Sequence, residues 1–258
     1  MEVTLMQSFL KTDFLGRNCF VLNSVNSTNT YIKERWRLLD HGHTVIAKEQ
    51  LSGRGRKGKS FYSPKGDGLY FSVLLKKSRF TDDPLFTVKL SYAVCRAIDI
   101  LTSTESVSIK WVNDIYSGAK KISGMLCEAV KSPDETGIIA GIGVNFVVDK
   151  TLVPPELRKK IGALTDVSKK KLSKEQLCAL ILNELESMYG EYKLTDAEFI
   201  SLYRRRSAVL GKEISVIKDN LQLRAAALDI ASDGGLIVRY ESGITEKLTA
   251  GEISILFS

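Results

Sequence analysis

The sequence predicts an α+β protein in which a mixed, largely antiparallel sheet with flanking helices precedes a small C-terminal β-unit. Short apolar segments with period-two alternation recur along the chain, which is typical of strands. Between residues 107 and 148 three such segments are joined by short turns, which favours antiparallel pairing. After Gly211 the strands become shorter and turn signals such as Asp233-Gly234-Gly235 separate them, which indicates a small barrel or sandwich.

The individual elements follow from capping residues and from apolar periodicity. Helices are predicted over 23–40, 83–101, 173–192 and 195–206. Strands of the larger unit are predicted over 44–47, 69–75, 107–111, 121–130 and 138–148. Strands of the smaller unit are predicted over 214–217, 223–230, 236–240, 246–249 and 252–256. The change in character near Ser207 predicts two domains, 1–207 and 208–258.

The composition is that of a globular protein, and the net charge suggests an anionic partner. The 258 residues can bury a core unaided, and no apolar run approaches the ~20 residues that a membrane span needs. The N-terminus lacks a secretory pattern, so we expect a cytoplasmic location. The four cysteines are far apart, which argues against a zinc site. A net charge of +7 suggests that the partner is either a nucleic acid or a nucleotide triphosphate.

A glycine-rich loop carries the densest positive charge. The segment Gly53-Arg54-Gly55-Arg56-Lys57-Gly58 has the spacing G-x-G-x-x-G, but neither a helix nor an acidic residue about 20 positions on follows it, as dinucleotide binding requires. A Walker loop also requires a helix here. Glycine lets the backbone approach a ligand, and arginine offers paired donors to phosphate or carboxylate. On composition alone, an anion-binding loop and a mobile surface loop are equally favoured.

Three further segments contain residue types that carry chemistry. In Lys110-Trp111-Val112-Asn113-Asp114 and Lys121-Ile122-Ser123-Gly124, a carboxylate could bind Mg²⁺ or accept a proton, and a lysine could stabilise phosphoryl charge. Taken alone, these two segments fit a structural hairpin with a salt bridge better. The glycines of Gly141-Ile142-Gly143-Val144-Asn145 indicate the close approach of a ligand or another backbone. Ser27-Thr28-Asn29 alone is a helix N-cap run.

Taken in order, these segments resemble the biotin–protein ligases. The matching segments are Ser27-Thr28-Asn29, Gln50 with the loop at 53–58, Lys110-Trp111-x-Asn113-Asp114, Lys121-Ile122-Ser123-Gly124 and Gly141-Ile142-Gly143-Val144-Asn145. The C-terminal strands look like the family's small SH3-like β-barrel. Val112 stands where family members commonly have proline. Too few residues precede Ser27 for the winged helix-turn-helix of bifunctional members, so the resemblance implies a monofunctional ligase without DNA binding.

The resemblance implies a two-step reaction that uses biotin, ATP and Mg²⁺. Biotin and ATP form biotinyl-5′-AMP, and biotin then passes to a lysine of the biotin carboxyl carrier domain of a biotin-dependent carboxylase, such as acetyl-CoA carboxylase. By similarity, Lys121 is the catalytic lysine, and Arg56 closes over the adenylate. Asp114 is either the base for the acceptor lysine or a Mg²⁺-linked carboxylate. The residues expected to bind substrates are Ser27, Thr28, Asn29, Gln50, Gly53, Arg54, Gly55, Arg56, Lys121, Gly124 and Asn145.

Three alternative functions compete with this interpretation. A lipoate or octanoate–protein ligase of the same superfamily uses similar chemistry, although the Gly-Arg-Gly-Arg loop fits the biotin pattern. A sensor would bind biotin or its adenylate without ligating it. A nucleic-acid-binding protein would need basic residues among exposed aromatics or a recognition helix, and the sequence has neither. No membrane partner is expected, and homodimers occur in the family.

Overall fold

The computed structural model describes residues 1–76, 80–190, 192, 194–218 and 221–255. In these ranges the α-helices are α1 (Val3–Ser8), α2 (Thr28–Arg35), α3 (Phe86–Thr102), α4 (Lys174–Ser187) and α5 (Asp196–Arg205). The strands are β1 (Cys19–Leu22), β2 (Thr44–Ala47), β3 (Gly68–Lys76), β4 (Ser108–Lys110), β5 (Asp114–Ser117), β6 (Lys120–Lys131), β7 (Thr136–Asn145), β8 (Glu213–Lys218), β9 (Leu221–Ile230), β10 (Leu236–Tyr240), β11 (Thr245–Leu248) and β12 (Glu252–Ile255). None of these helices has the length and apolar character needed to cross a membrane.

A seven-stranded sheet forms the larger layer, in the order β1-β2-β3-β7-β6-β5-β4. Strands β1 and β2 run parallel, and every other neighbouring pair runs antiparallel. Short turns join β4 to β5, β5 to β6 and β6 to β7; the sequence predicts three consecutive antiparallel strands here, and the structure adds β5 between the first two. Helix α3 packs its apolar face on this sheet, with α4 beside it. The predicted mixed, largely antiparallel sheet with flanking helices is therefore confirmed.

The C-terminal strands form a second sheet, which is antiparallel, in the order β11-β10-β9-β8-β12. The predicted hairpin joins β9 to β10, and Asp233 Oδ1 accepts a hydrogen bond from the backbone N of Gly235 there. In the described residues the edge strands β11 and β12 do not pair with each other, so the predicted barrel is not closed. Leu256, the last residue of the predicted strand 252–256, lies outside the described residues.

Two helices begin later than the sequence predicts, and three short elements, α1, β1 and β5, are not predicted. Helix α2 begins at Thr28 rather than at Asn23, because Ser27 has extended backbone angles. Helix α3 begins at Phe86, because the carboxylate of Asp83 accepts a backbone hydrogen bond in the turn that precedes the helix. Elements α1 and β1 are too short for an apolar period to stand out.

The two sheets share one continuous buried core. Trp111, directly after β4, donates its indole N–H to the carbonyl oxygen of Gly234 in the β9–β10 turn, over 2.9 Å. Gly234 has a φ of +79°, and a Cβ there would lie 2.8 Å from Cγ2 of Val88 in α3. Glycine is therefore required at this turn, both for its backbone angle and for its close contact with the helix. This contact holds the C-terminal sheet beside β4.

Replacing Trp111 with phenylalanine should weaken the joint between the sheets. The substitution keeps an aromatic ring but leaves the buried Gly234 carbonyl without its donor, which costs about 1–3 kcal/mol in the free energy of unfolding. Trp36→Phe is the matched control, because Trp36 is also buried but packs in a separate apolar cluster. Urea unfolding followed by circular dichroism measures both variants, and equal losses would contradict the role given to the hydrogen bond.

Candidate active site

A cavity of about 490 Å³ is lined by both sheets. Its walls come from the start of α2, the loop after β2, strands β4 to β7, the segment at 157–161 and residues 251–255 of the C-terminal sheet. Every binding or catalytic residue predicted from the sequence lines this cavity except Gly53. A Cβ on Gly53 would lie 2.3 Å from the carbonyl oxygen of Phe61, so this glycine allows the loop to fold back on itself.

A network of buried and half-buried polar groups, here called the polar end, lies at one part of the cavity. Gln50 Oε1 accepts a hydrogen bond from the backbone N of Thr28 over 2.9 Å. Ser72 Oγ lies 2.6 Å from both Thr28 Oγ1 and Asn29 Oδ1. Asn29 Nδ2 donates to Glu128 Oε2 over 2.9 Å. Because these groups orient one another, they present fixed donors and acceptors to a small polar ligand.

The two glycines inside β7 make room for side chains. A Cβ on Gly141 would lie 2.1 Å from Asn29 Oδ1, and a Cβ on Gly143 would lie 2.5 Å from the ring of Phe61. The sequence indicates the approach of a ligand or another backbone at these glycines. In the structure, side chains that line the cavity are the groups that approach. Alanine at either position would displace one of them.

The loop at 53–60, here called the arginine loop, folds into a compact turn. The backbone N of Phe61 donates to the carbonyl oxygen of Gly53 over 2.8 Å, and that of Gly55 donates to the carbonyl oxygen of Lys59 over 2.6 Å. The ammonium of Lys59 forms an ion pair with Glu252 in β12. The arginine loop is therefore tied to the C-terminal sheet as well as to its own base.

Both arginines of this loop contact groups of the large sheet. Arg54 NH1 lies 3.0 Å from Glu128 Oε2, and Arg56 NH1 donates to Asn113 Oδ1 over 2.9 Å. Burial would raise the pKa of Glu128, but the hydrogen bond from Asn29 and the charge of Arg54 hold this pKa below its ordinary value. The ionised Glu128 carboxylate thus anchors the arginine loop to β6.

Lys121 and Asp114 form an ion pair in the cavity wall. Lys121 Nζ lies 2.7 Å from Asp114 Oδ1. A Cβ on Gly124 would also lie 2.7 Å from Nζ, so this glycine provides the space for the ammonium group. Asn145 Nδ2 donates to the Lys121 carbonyl oxygen over 3.1 Å and fixes the backbone there. The ring of Phe61 faces the ammonium at 5.7 Å from its centroid.

The chemistry of Asp114 fits a magnesium ion that binds together with a nucleotide. The contact of Asp114 with Lys121 is an ion pair without hydrogen-bond geometry, so its buried Oδ1 has no hydrogen-bond donor in the described residues. Those residues contain no cluster of three or more histidine, cysteine, aspartate or glutamate side chains that could hold a metal by itself. Mg²⁺ usually binds through one or two carboxylates together with substrate phosphates. One carboxylate with spare acceptor capacity is sufficient for that arrangement.

Several residues at this site are not predicted from the sequence. Glu128 anchors Arg54, Phe61 packs over the lysine, and Glu252 reaches the cavity from β12. Glu128 could have been found in the sequence, because it is the one acid within a largely apolar strand and a half-buried charge needs a partner. Glu252 has no such signal, because its place depends on how the second sheet packs.

Comparison with known proteins gives matches along the chain. The profile of the biotin/lipoate A/B protein ligase family matches residues 21–145, and that of the biotin protein ligase C-terminal domain matches residues 209–256. The bifunctional ligase/repressor BirA of Escherichia coli is 26% identical over 245 residues, which cover 93% of this chain and 74% of BirA. The biotin–[acetyl-CoA-carboxylase] ligase of Mycobacterium tuberculosis is 24% identical over 220 residues, which cover 82% of this chain and 78% of that protein.

A solved structure matches nearly the whole chain. The biotin protein ligase of Aquifex aeolicus in complex with biotin and ATP has a TM-score of 0.78 and 27% identity, covering 94% of this chain and 100% of that chain. The fold and the cavity, with the first profile, define a protein ligase of the biotin/lipoate class. The second profile and the similar proteins narrow the class, and the chain belongs to the biotin protein ligase family.

Glu128→Gln should release the arginine loop. Glutamine keeps the shape but removes the charge that holds Arg54, a loss of about 1 kcal/mol or about fivefold in the open population. We expect trypsin to cut the arginine loop correspondingly faster in the native protein, as measured by mass spectrometry over time. Glu135→Gln is the control, because Glu135 pairs with Lys76 over 3.2 Å away from the cavity lining. Equal cleavage rates in the two variants would contradict the anchor.

Proposed function

We propose that this chain is an ATP-dependent biotin–protein ligase, which forms biotinyl-5′-AMP and passes biotin to a lysine of a biotin carboxyl carrier domain. The observation that carries the proposal is the cavity in which the polar end, the arginine loop and the Lys121–Asp114 pair lie together. The Aquifex aeolicus enzyme, which shares this fold, holds biotin and ATP. The same two ligands suit a cavity that is polar at one end and cationic beside it.

In the first step, an oxygen of the biotin carboxylate attacks the α-phosphorus of ATP. The new P–O bond replaces the bond to the bridging oxygen, and pyrophosphate leaves with that electron pair. Two anions must meet, so cations have to offset their repulsion and stabilise the charge of the transition state. Lys121, Arg54 and Arg56 supply these cations. Mg²⁺, when bound at Asp114, would neutralise further phosphate charge.

In the second step, the amine of the acceptor lysine attacks the acyl carbon of biotinyl-5′-AMP. A C–N bond forms, the C–O bond to the phosphate breaks, and AMP leaves with the electron pair. The attacking nitrogen must lose a proton, and Asp114 is the carboxylate proposed to accept it. The closed arginine loop, with Arg56 over the adenylate, would keep water from hydrolysing the mixed anhydride before the carrier arrives.

The substrates would lie along the cavity with biotin at the polar end. Ser27, Thr28, Asn29 and Gln50 would contact the ureido ring, and Gly124 would border the apolar tail. Asn145 would contact the adenine while its amide holds the Lys121 backbone. Gly53 and Gly55 would let the loop close over the ligands. We assign residues 1–207 to this catalytic domain and residues 208–258 to the domain that completes the cavity wall.

The proposed function predicts the modification of one carrier lysine. Incubation of the chain with biotin, ATP, Mg²⁺ and a biotin carboxyl carrier domain of acetyl-CoA carboxylase should add one biotinyl group to the carrier, as measured by mass spectrometry. The parallel reaction contains lipoate and a lipoyl carrier domain. Transfer of lipoate but not of biotin would contradict the proposal and favour a lipoate–protein ligase. Transfer of neither, with biotin still bound, would favour a sensor.

Lys121→Ala should slow the adenylation step at least ~10²-fold, the scale expected for the loss of one preorganised charge in the transition state. Single-turnover formation of biotinyl-5′-AMP measures this directly. Lys120→Ala is the matched control, because Lys120 precedes Lys121 on β6 and does not line the cavity. A near-wild-type rate for Lys121→Ala would remove this lysine from the mechanism.

A further inference from the structure

Lys110 lies in the cavity wall, and the steps above leave it without a role. It ends β4, directly opposite Asp114 in the β4–β5 pairing, and its side chain is partly buried. The ring of Tyr116 lies 5.5 Å from its ammonium nitrogen. Lys110 begins the segment Lys110-Trp111-Val112-Asn113-Asp114, in which a lysine could stabilise phosphoryl charge.

The other basic groups nearest the reacting atoms already have partners. Lys121 pairs with Asp114, and Arg54 pairs with Glu128. In the described part of the chain, the Lys110 ammonium has no carboxylate within 4.0 Å and no hydrogen-bond acceptor. Lys57 and Lys160 also line the cavity, but they are exposed and water can solvate them. Lys110 is thus a half-buried cation that faces the cavity unpaired.

The electrostatics around Lys110 favour an anionic ligand. Burial lowers the pKa of Lys110, and the positive charges of Lys121 and Lys59 lower it further, against the attraction of Asp114 and Glu252. A partly desolvated ammonium among other cations costs free energy unless an anion lies beside it. The Tyr116 ring offsets only a small part of this cost. A ligand with several negative charges would offset much more.

The strand order places Lys110 on the far side of the reacting centre from the polar end. Ser72 of the polar end lies on β3 and Asn29 lies over Gly141 of β7, while the partner of Asn29, Glu128, lies on β6, the strand of Lys121. Crossing the sheet from β3, the order is β7, β6, β5 and then β4, which ends at Lys110. Neighbouring strands lie about 4.8 Å apart, so β4 is about 10 Å beyond β6. The polar end, Lys121 and Lys110 therefore follow one another across the sheet.

This order matches the geometry of phosphoryl-centre displacement. The attacking oxygen and the leaving oxygen lie roughly in line on opposite sides of the phosphorus. If the biotin carboxylate arrives from the side of the polar end, pyrophosphate departs toward β4. We propose that Lys110 contacts the β- and γ-phosphates of ATP and stabilises the charge on pyrophosphate as the bond to the α-phosphorus breaks. The inference rests on the proposed ligase function and adds its leaving-group site.

The kinetic test uses biotin-dependent exchange of labelled pyrophosphate into ATP. Lys110→Met should raise the KM for pyrophosphate about 10- to 100-fold, the scale of one charge-assisted contact, while the KM for biotin stays near the wild-type value. Lys110→Arg should recover most of the loss because it keeps the charge. Lys131→Met is the matched control, since Lys131 ends β6 exposed and does not line the cavity. An unchanged KM for pyrophosphate in a folded Lys110→Met variant would overturn the inference.

A second measurement needs no variant. Acetic anhydride labels lysines of the wild-type chain, and mass spectrometry follows Lys110 and Lys131 with and without inorganic pyrophosphate and Mg²⁺. Pyrophosphate should slow the labelling of Lys110 several-fold and leave Lys131 unchanged. Equal labelling with and without pyrophosphate would overturn the inference. A wild-type chain that exchanges no pyrophosphate with biotin would contradict the ligase function itself, and protection of Lys110 would then report an anion site alone.

Discussion

The ion pair between Lys121 and Asp114 is the interaction on which the candidate site depends. Several cations must lie within one cavity if two anionic substrates are to react there, and cations at short range repel each other strongly when water is excluded. The structure meets this requirement by giving carboxylate partners to Lys121, Arg54 and Lys59. Each cation is held in position without a ligand, and each can transfer its contact to an entering anion. The site is therefore organised before substrate arrives.

The sheet determines where each of these groups lies. Short antiparallel connections from β4 to β7 bring the lysine and carboxylate segments side by side. Gly141 and Gly143 in β7 leave space for Asn29 and Phe61, and Gly124 in β6 leaves space for Lys121. The C-terminal sheet closes the remaining side, because the Trp111–Gly234 contact holds it against β4. A cavity of about 490 Å³ built from two sheets has room for a long ligand such as an acyl-adenylate.

Local signals in the sequence predicted most of the fold and the residues that meet in the cavity. Three strands between 107 and 148 were predicted from apolar alternation or apolar runs, and β5 was not. The capping box at Thr195 marks the start of α5, where Glu198 and Thr195 bond reciprocally. The predicted small C-terminal β-unit is confirmed as a five-stranded antiparallel sheet, whose edge strands β11 and β12 do not pair within the described residues. The partners of Glu128 and Glu252 are far away in sequence, so neither ion pair was predicted; only Glu128 had a local signal, as the one acid in a largely apolar strand. Roles of individual residues stay predictions.

The proposed carboxylate activation is tested most directly by biotin-dependent exchange of labelled pyrophosphate into ATP by the purified chain, with Mg²⁺ present and lipoate as the control acid. Exchange requires the carboxylate of the acid to attack the α-phosphorus reversibly, so it reports the adenylating half-reaction without any carrier. A biotin–protein ligase should exchange pyrophosphate with biotin and not with lipoate. Exchange with lipoate alone would identify the chain as a lipoate–protein ligase instead. No exchange with either acid would contradict the claim that this cavity activates a carboxylate.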